Sequence, residues 1–279
     1  MSNGNPRTEA PIIDDELWKL IEPLLPVVKP RAKSDPGRLR MSDRAALNGI
    51  LFVLKTDIRW NHLPTRLGFG SGATWWRRLD DWQKAGVWER LHELLLDKLR
   101  AAGQLNLSYA VVDSSSARAV GAGGKTGPNP MDRARPGSKH HILVDANGVP
   151  VVAILTGANA NDVTQLLSLV DAIPPIRGMR GRPLQKPGVV YADRGYDSTR
   201  HRRAQREPGI KPVIAKRRTE HGSSLGTYRW VVERTHSWLH NFRRLRTRFD
   251  RRADIHEAFL KLGCSLVCWN IFRHAEQGV

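Results

Sequence analysis

Two cysteines, Cys264 and Cys268, are all that the 279-residue sequence contains. They are too few for a disulfide framework or a four-ligand zinc site. No stretch approaches the run of about 18 apolar residues that spans a bilayer, and Met1 to Glu16 hold no apolar signal core. Membrane insertion and export are therefore not expected, and the reducing cytoplasm is the expected compartment. No internal repeat is found. Acids are scarce relative to bases: 27 Asp and Glu stand against 45 Lys and Arg, a formal net charge of +18. What is present in quantity is apolar side chain, at 40% with 26% charged residues, enough to pack a core and to exclude wholesale disorder. The length allows one large domain or two modest ones.

A compact fold carrying this charge repels itself, so a polyanionic partner is expected. Arg contributes 33 of the bases and Lys 12; a guanidinium suits bidentate phosphate contact, although codon bias in a GC-rich genome gives the same excess. The charge is concentrated. Ile176 to Arg252 holds 21 basic and 6 acidic residues, a net +15. This segment mixes strands, turns and acids and is not one basic amphipathic helix, which favours nucleic acid over a membrane surface.

Residues from about 14 to 105 read as helical. Asp14-Asp15-Glu16 places acids at a helix start, and Ser42 and Asp43 offer caps for a second helix through Leu54. Between them Pro26 to Arg40 is a basic loop. Trp60 to Leu67 is a short element, Gly68 to Gly72 a turn, Ala73 to Lys84 a third helix and Val87 to Ala102 a fourth. Short helices around a Gly turn, the later one carrying Arg77, Arg78 and Lys84, suit a helix-turn-helix; a plain helical bundle with solvated arginines is the alternative. From Leu107 the period changes. Tyr109 to Val112, Gly188 to Ala192 and Lys211 to Ala215 are apolar strands. His141 to Asp145 and Val149 to Leu155 form a hairpin about Asn147-Gly148. Asn161-Asp162 heads a helix to Ala172, Asp197-Ser198 caps another, and two long helices, Thr227 to Phe249 and Ala253 to Phe272, end the chain. This order implies a mixed sheet with helices packed on it. The Gly/Pro loops Gly121 to Ser138 and Pro174 to Pro187 read as mobile.

Two of those strands end in an acid, Asp113 and Asp193. Groups just beyond strand ends gather at one edge of an open sheet. If the strands are neighbours, the two carboxylates repel, and a divalent cation resolves the repulsion. Taken singly, each Asp equally well caps the turn that follows it. At about 100° per residue, Arg229, Glu233, His236, His240 and Arg243 share one helical stripe, opposite Val231, Trp238, Phe242, Leu245 and Phe249. Glu233 is then either a metal ligand between phosphate-binding cations or half of an exposed Arg229–Glu233 pair. The residues alone leave both readings open.

Tyr191-Ala-Asp-Arg-Gly-Tyr-Asp197 and Arg229-Trp-Val-Val-Glu-Arg-Thr-His-Ser-Trp-Leu239, followed by Phe242-Arg-Arg-Leu245, resemble the DDE transposases of bacterial insertion sequences. Asp15 to Leu25 and Trp60-Asn-His-Leu-Pro64 are also similar to that family, so the likeness extends over most of the chain. It implies an α/β fold, a ribonuclease-H-like mixed sheet with flanking helices over 106–279, preceded by an all-α, helix-turn-helix-like DNA-binding domain over 1–105. It further implies Asp113, Asp193 and Glu233 as the catalytic and metal-binding acids. They would hold two Mg²⁺, with Mn²⁺ as an alternative, about 4 Å apart, for cleavage at the element's ends and strand transfer. Asp113 enters by its strand-end context, Val111-Val-Asp-Ser-Ser115. The implied partners are terminal inverted repeats and target DNA, met by at least a homodimer on DNA. Phosphate contacts are expected from Arg229, His240, Arg243 and Arg244, and from Arg77 and Arg78 in the helical domain. The family's signature has a Tyr three residues before the Arg and a Lys seven after the Glu. Here Gly226 and His240 stand there, with Tyr228 beside Arg229, and a His is mostly neutral at pH 7. A non-catalytic DNA-binding relative and a nuclease that cuts without joining are the alternative readings.

Other features point to structure. Asp162 and Asp197 fit helix caps, and Asp145 fits the hairpin turn. Ala119-Val-Gly-Ala-Gly-Gly-Lys-Thr126 nearly matches a nucleotide phosphate loop, but Gly127, Pro128 and Pro130 preclude the helix that loop requires, so no nucleotide cofactor is expected and Lys125 is placed in a flexible loop near DNA. Cys264 and Cys268 fit the core, and His140 and His141 alternate faces and cannot share a metal. Trp75, Trp76, Trp82 and Trp88 fit the packing of the helical domain.

Overall fold

The computed structural model describes residues 13–27, 40–64, 70–216 and 226–276. Most of the expected basic loop over 26–40, part of the turn over 68–72, and the residues before 13 fall outside these. The helical region begins as expected. In α1 (Asp15–Ile21) the Asp14 carboxylate accepts the Leu17 N–H at 2.7 Å, and in α2 (Asp43–Thr56) the Ser42 hydroxyl accepts the Ala45 N–H, satisfying donors that a helix start leaves free. Next come α3 (Gly72–Lys84) and α4 (Val87–Ala101), joined through Gly86 at φ +68. The α2–α3 pair closes tightly because Gly49 has no side chain: a Cβ there would stand 2.7 Å from Cδ1 of Trp75.

The sheet contains β1 (Tyr109–Ala119), β2 (Gly127–Pro128), β3 (Pro136–Asp145), β4 (Pro150–Gly157), β5 (Val189–Ala192), β6 (Lys211–Ile214) and β7 (Thr247–Arg248). Its order is β2-β3-β1-β5-β6, with β4 also on β3 and β7 also on β1. β1, β3 and β4 are antiparallel; β5 and β6 run parallel to β1. Helices α5 (Leu166–Asp171), α6 (Thr199–Arg206), α7 (Gly226–His240), α8 (Arg243–Arg246) and α9 (Ala253–Glu276) flank it. This is the ribonuclease-H-like mixed sheet with a helical region before it. α9 packs on α3, α4, α7 and β4, so one apolar cluster runs from Ile13 through Trp88 and Val112 to Trp269. Asp14 ties the ends of the chain together by accepting from Trp269 Nε1 and the Arg273 guanidinium, each at 3.0 Å.

Four expectations change. The strand expected to end at Asp113 runs on to Ala119, because Ser114 to Arg118 keep their pairing with β3, so Asp113 lies within β1 and only Asp193 follows a strand end. The helix expected over 227–249 stops at His240. Phe242 is extended, α8 is a single turn, and β7 pairs with the end of β1 through Arg118–Thr247 and Ala119–Arg248. Arg243 therefore leaves the stripe shared by Arg229, Glu233, His236 and His240. The loops expected to be mobile are tied down. The buried Arg248 guanidinium donates to the carbonyls of Gly124 (2.7 Å) and Lys125 (3.1 Å) and to the Ser138 hydroxyl (2.7 Å), while Lys125 pairs with Glu257. No helix follows Lys125. Arg100 donates to the carbonyls of Ile176 and Arg182, holding the second loop. Asp197 does not cap α6; Ser198 takes the cap position and Asp197 accepts twice from Arg202. The hairpin matches its expectation, with Gly148 at φ +82.

Candidate active site

β1 is the central strand. Residues on it alternate between the two faces of the sheet: Asp113 and Ser115 turn toward α7, Ser114 away. Asp113 is largely buried. Burial pushes its pKa up to about 6; Arg229 and the Ser114 N–H pull it down, and the carboxylates of Asp193 and Glu233 push it further up. Asp193, just past β5, accepts the Gly195 N–H at 2.8 Å. β5 lies directly beside β1, with Tyr191 opposite Val111. The carboxylates of Asp193 and Glu233, distant along the sequence, thus lie near enough to Asp113 to raise it.

The placement of α7 has an identifiable cause. Tyr228 stacks on Tyr191 with centroids 4.3 Å apart, and Tyr109 meets both edge-on at 5.3 and 5.4 Å. The Tyr that departs from the family spacing therefore clamps the start of α7 over β1 and β5. Farther along, Thr235 donates to the Gly148 carbonyl at 2.7 Å and fixes the helix to the hairpin. With α7 so held, an Arg229 nitrogen stands 3.7 Å from Asp113 Oδ1 and His236 Nε2 4.0 Å from Oδ2. Arg229 Nε and His236 Nε2 are both buried with no hydrogen-bond partner among the described residues. Such groups are costly unless a ligand completes them. A cavity of about 460 Å³ opens here, lined by Asp113, Ser115, Glu233, His236, His240 and Arg246 among others.

His240 faces this cavity, its Nε2 sharing a hydrogen bond of 3.1 Å with the Ser115 hydroxyl. Burial, and secondarily Arg246, lower its pKa; burial, with His240 and His141 adding to it, takes His236 down to about 3. Both rings are neutral near pH 7. The positive charge at this end of the cleft belongs to Arg246, which sequence reasoning missed. Ser115 was missed as well, though the two-residue period of a strand puts it on the face of Asp113.

The expected phosphate contacts divide. Arg229 enters the cleft, and Arg243 and Arg77 are exposed. Arg244 is 3% exposed and fully engaged, with Asp57 at 2.9 Å, Asp250 at 3.1 and 3.2 Å, and the rings of Phe249 and Phe259 beneath it. Arg78, also buried, pairs with Asp43 and joins α3 to α2. Both are interior cations with their donors occupied, so neither faces a phosphate. Asp162 also departs from its expected role: Asn161 is the cap of the following turn, accepting from Val163, and Asp162 points inward to Ser114 and Lys139. Cys264 and Cys268 are buried in α9, and His140 and His141 do face opposite ways, toward His256 and Thr156.

Among the described residues no group of three His, Cys, Asp or Glu stands ready as a metal site. The donor chemistry nevertheless fits a hard divalent cation. Three carboxylates offer oxygen ligands, and the mutual repulsion registered at Asp113 is what a cation relieves.

The family profile described as "Transposase DDE domain" matches residues 107–270, and one described as "Putative transposase of IS4/5 family" matches residues 13–92. A Burkholderia cepacia protein described as "Putative transposase for insertion sequence element IS402" is 79% identical over 155 residues, 56% of this chain and 74% of that protein. Another from the same organism, "Insertion element IS402 uncharacterized 16.2 kDa protein", is 70% identical over 120 residues, 43% of this chain and 82% of its own length. The "Transposase for insertion sequence element IS1106" of Neisseria meningitidis serogroup B is 29% identical over 114 residues, about a third of each chain (37% and 36%). No helix among the described residues is long and apolar enough to cross a membrane. The first profile covers more than half of the sequence and takes in Asp113, Asp193 and the α7 glutamate, and the chain belongs to the DDE transposase family, whose work is DNA transposition.

Proposed function

We propose that this cleft carries out divalent-metal-dependent cleavage at the ends of an insertion sequence and joins the freed ends to target DNA. The observation that carries the reading is Asp113: a buried acid held protonated to about pH 6 among two further carboxylates, with an arginine 3.7 Å away. Asp113, Asp193 and Glu233 would hold the cations, two Mg²⁺ or Mn²⁺ per site. When bound, these supply countercharge and Lewis acidity for in-line displacement at phosphorus.

The remaining tasks fall to side chains. Arg229, with its unpartnered buried Nε, donates to a phosphate oxygen at the reacting position. His240, neutral, contributes a hydrogen bond and no charge, and Arg246 and Arg243 grip the backbone on either side. The helical residues 1–105 read the terminal inverted repeats, with Arg77 as the exposed contact, and 106–279 form the catalytic unit. Two ends have to be brought together, which makes the working unit at least a homodimer on DNA in the bacterial cytoplasm.

The test is a cleavage and joining assay on DNA carrying the cognate inverted repeats. Wild-type protein cuts and joins with Mg²⁺ and does neither with EDTA; Asp193→Asn binds the ends and leaves them intact. Undiminished cleavage by Asp193→Asn removes the site. Cutting without joining identifies a nuclease, and binding without cutting a DNA-binding relative.

A further inference from the structure

Asp162 is outside the triad but touches the supports of two of its members. Its Oδ1 accepts from the Ser114 hydroxyl at 2.8 Å and from Lys139 Nζ at 2.9 Å, and Lys139 also donates to the Ala160 carbonyl at 2.9 Å. Its Oδ2 is turned toward Gly195: a Cβ on that glycine would stand 3.5 Å from Asp162 Oδ2 and 3.0 Å from Asp193 Oδ1. The two residues approached in this way are those whose amides serve the catalytic acids. The Ser114 N–H bonds to the Asp113 carboxylate, and the Gly195 N–H to Asp193 at 2.8 Å.

The arrangement follows from the strand. β1 sends Asp113 toward α7 and Ser114 to the opposite face, where the 3-10 turn of Asp162–Gln165 packs against that of Arg194–Tyr196. Lys139, on β3, is mostly buried there with 13% of its side chain exposed, and Tyr196 at 1% exposure closes the back of the site. His141 Nδ1 stands 3.8 Å from Asp162 Oδ1. A carboxylate at 162 therefore answers a nearly buried ammonium and, through Ser114 and the Gly195 turn, reaches Asp113 and Asp193 from behind.

We propose, on the reading of the cleft given above, that Asp162 is a positioning residue of the DDE site: anchored by Lys139, it fixes Ser114 and the Gly195 turn and so sets the placement of Asp113 relative to Asp193. Groups that orient metal-binding carboxylates typically change metal affinity by about 10- to 100-fold when removed. The role differs from a helix cap, whose loss weakens folding alone.

The experiment measures Mn²⁺ binding to the full-length protein by electron paramagnetic resonance, alongside cleavage of end DNA. Asp162→Asn is expected to weaken Mn²⁺ binding by about 10- to 100-fold and to raise the Mn²⁺ needed for half-maximal cleavage by a similar factor. Its binding of end DNA in EDTA stays within about twofold of wild type. Ser114→Ala, which removes only the hydroxyl, moves Mn²⁺ affinity the same way, and the double variant is no worse than Asp162→Asn, as expected for one linked unit. Wild-type Mn²⁺ affinity in either single variant, or penalties that multiply in the double, overturns the inference; if Asp162→Asn fails to fold, Ser114→Ala decides. Failure of the underlying reading looks different: wild type itself neither binds Mn²⁺ nor cuts, and both proposals fall together.

Discussion

Asp113 and Asp145 are two buried carboxylates on the same pair of strands, and burial pushes both up to about 6. Their surroundings are opposite. Asp145, fully buried, accepts the N–H groups of Asn106, Asn147 and Val149 at 2.7 to 2.9 Å, closing the hairpin on the loop before β1. Asp113 has the Ser114 amide, an arginine at a distance, and two acids. The same contrast separates Arg244, whose donors meet Asp57 and Asp250, from Arg229, whose Nε has no partner among the described residues. A buried charge with its hydrogen bonds complete holds a fold together. One left incomplete beside others of its kind is arranged for a ligand.

The sharpest way to break this contrast is to neutralise both acids. Asp113→Asn should lower end cleavage by on the order of 10³-fold or more, with end binding kept, and raise the metal-free melting temperature at pH 7 because it removes the repelled charge. Asp145→Ala should do the reverse. Three amides lose their acceptor, costing roughly 3 kcal/mol or more of stability in chemical denaturation, while cleavage per folded molecule stays near wild type. The arginines give the next effect. Arg244→Ala leaves Asp57 and Asp250 as unpaired, largely buried charges, a loss of about 3–5 kcal/mol. Arg229→Ala should leave stability within about 1 kcal/mol and lower cleavage instead. An Arg244→Ala protein as stable as wild type would erase the distinction.

Titration sharpens the comparison further. A carboxyl raised from 3.8 to about 6 binds more protons in the folded state, so its contribution to stability falls as pH rises from 4 through 6. The difference in melting temperature between Asp113→Asn and wild type should therefore grow over that window and level off above it. Mn²⁺ should cancel the growth by stabilising the ionised wild type alone. Wild-type stability taken whole moves the other way. Burial takes His140 and His236 down to about 3 and His141 to about 4. These rings bind fewer protons folded than unfolded, and stability should rise as pH climbs toward 6.5. A wild-type melting temperature that does not rise between pH 4 and 6.5 would contradict the dominance of the histidines, and a variant-minus-wild-type difference flat from pH 4 to 6 would contradict the assignment at Asp113.

Much of this was legible from local pattern. The strand end at Asp193, the Asn147-Gly148 hairpin and the polar stripe through Glu233 all follow from periodicity and turn chemistry over a few residues. The run of β1 past Asp113 to Ala119 does not, because Ser114-Ser115-Ser116 breaks the apolar pattern. What escaped depends on partners distant in sequence. Arg244 reads as a phosphate contact until Asp57, 187 positions away, meets it in the core. The stripe was carried past His240 because nothing in the helical period shows that β1 will claim residues 247 and 248 as a strand. Asp162 reads as a cap until β3 brings Lys139 beneath it. Tyr228 appears only as a departure from the family spacing, and its stack on Tyr191 exists only once β5 lies beneath the start of α7.

Arg243 gives the smallest expected effect and the cleanest control. It sits one residue from Arg244 on the same turn, yet it is exposed where Arg244 is buried. A solvated cation near DNA contributes through release of condensed counterions, about 0.9 in the slope of log affinity against log salt for each phosphate neutralised on a duplex. Arg243→Ala should therefore lower end binding modestly at moderate salt and reduce that slope by about one, without moving the melting temperature. Arg244→Ala, measured on the fraction that remains folded, should leave the slope as it was, because its guanidinium faces two aspartates and no phosphate. Fluorescence anisotropy over a salt series reads both. A slope unchanged in Arg243→Ala and reduced in Arg244→Ala would mean that DNA draws the buried arginine out of the core, and that the division between fold-holding and ligand-seeking charges does not survive binding.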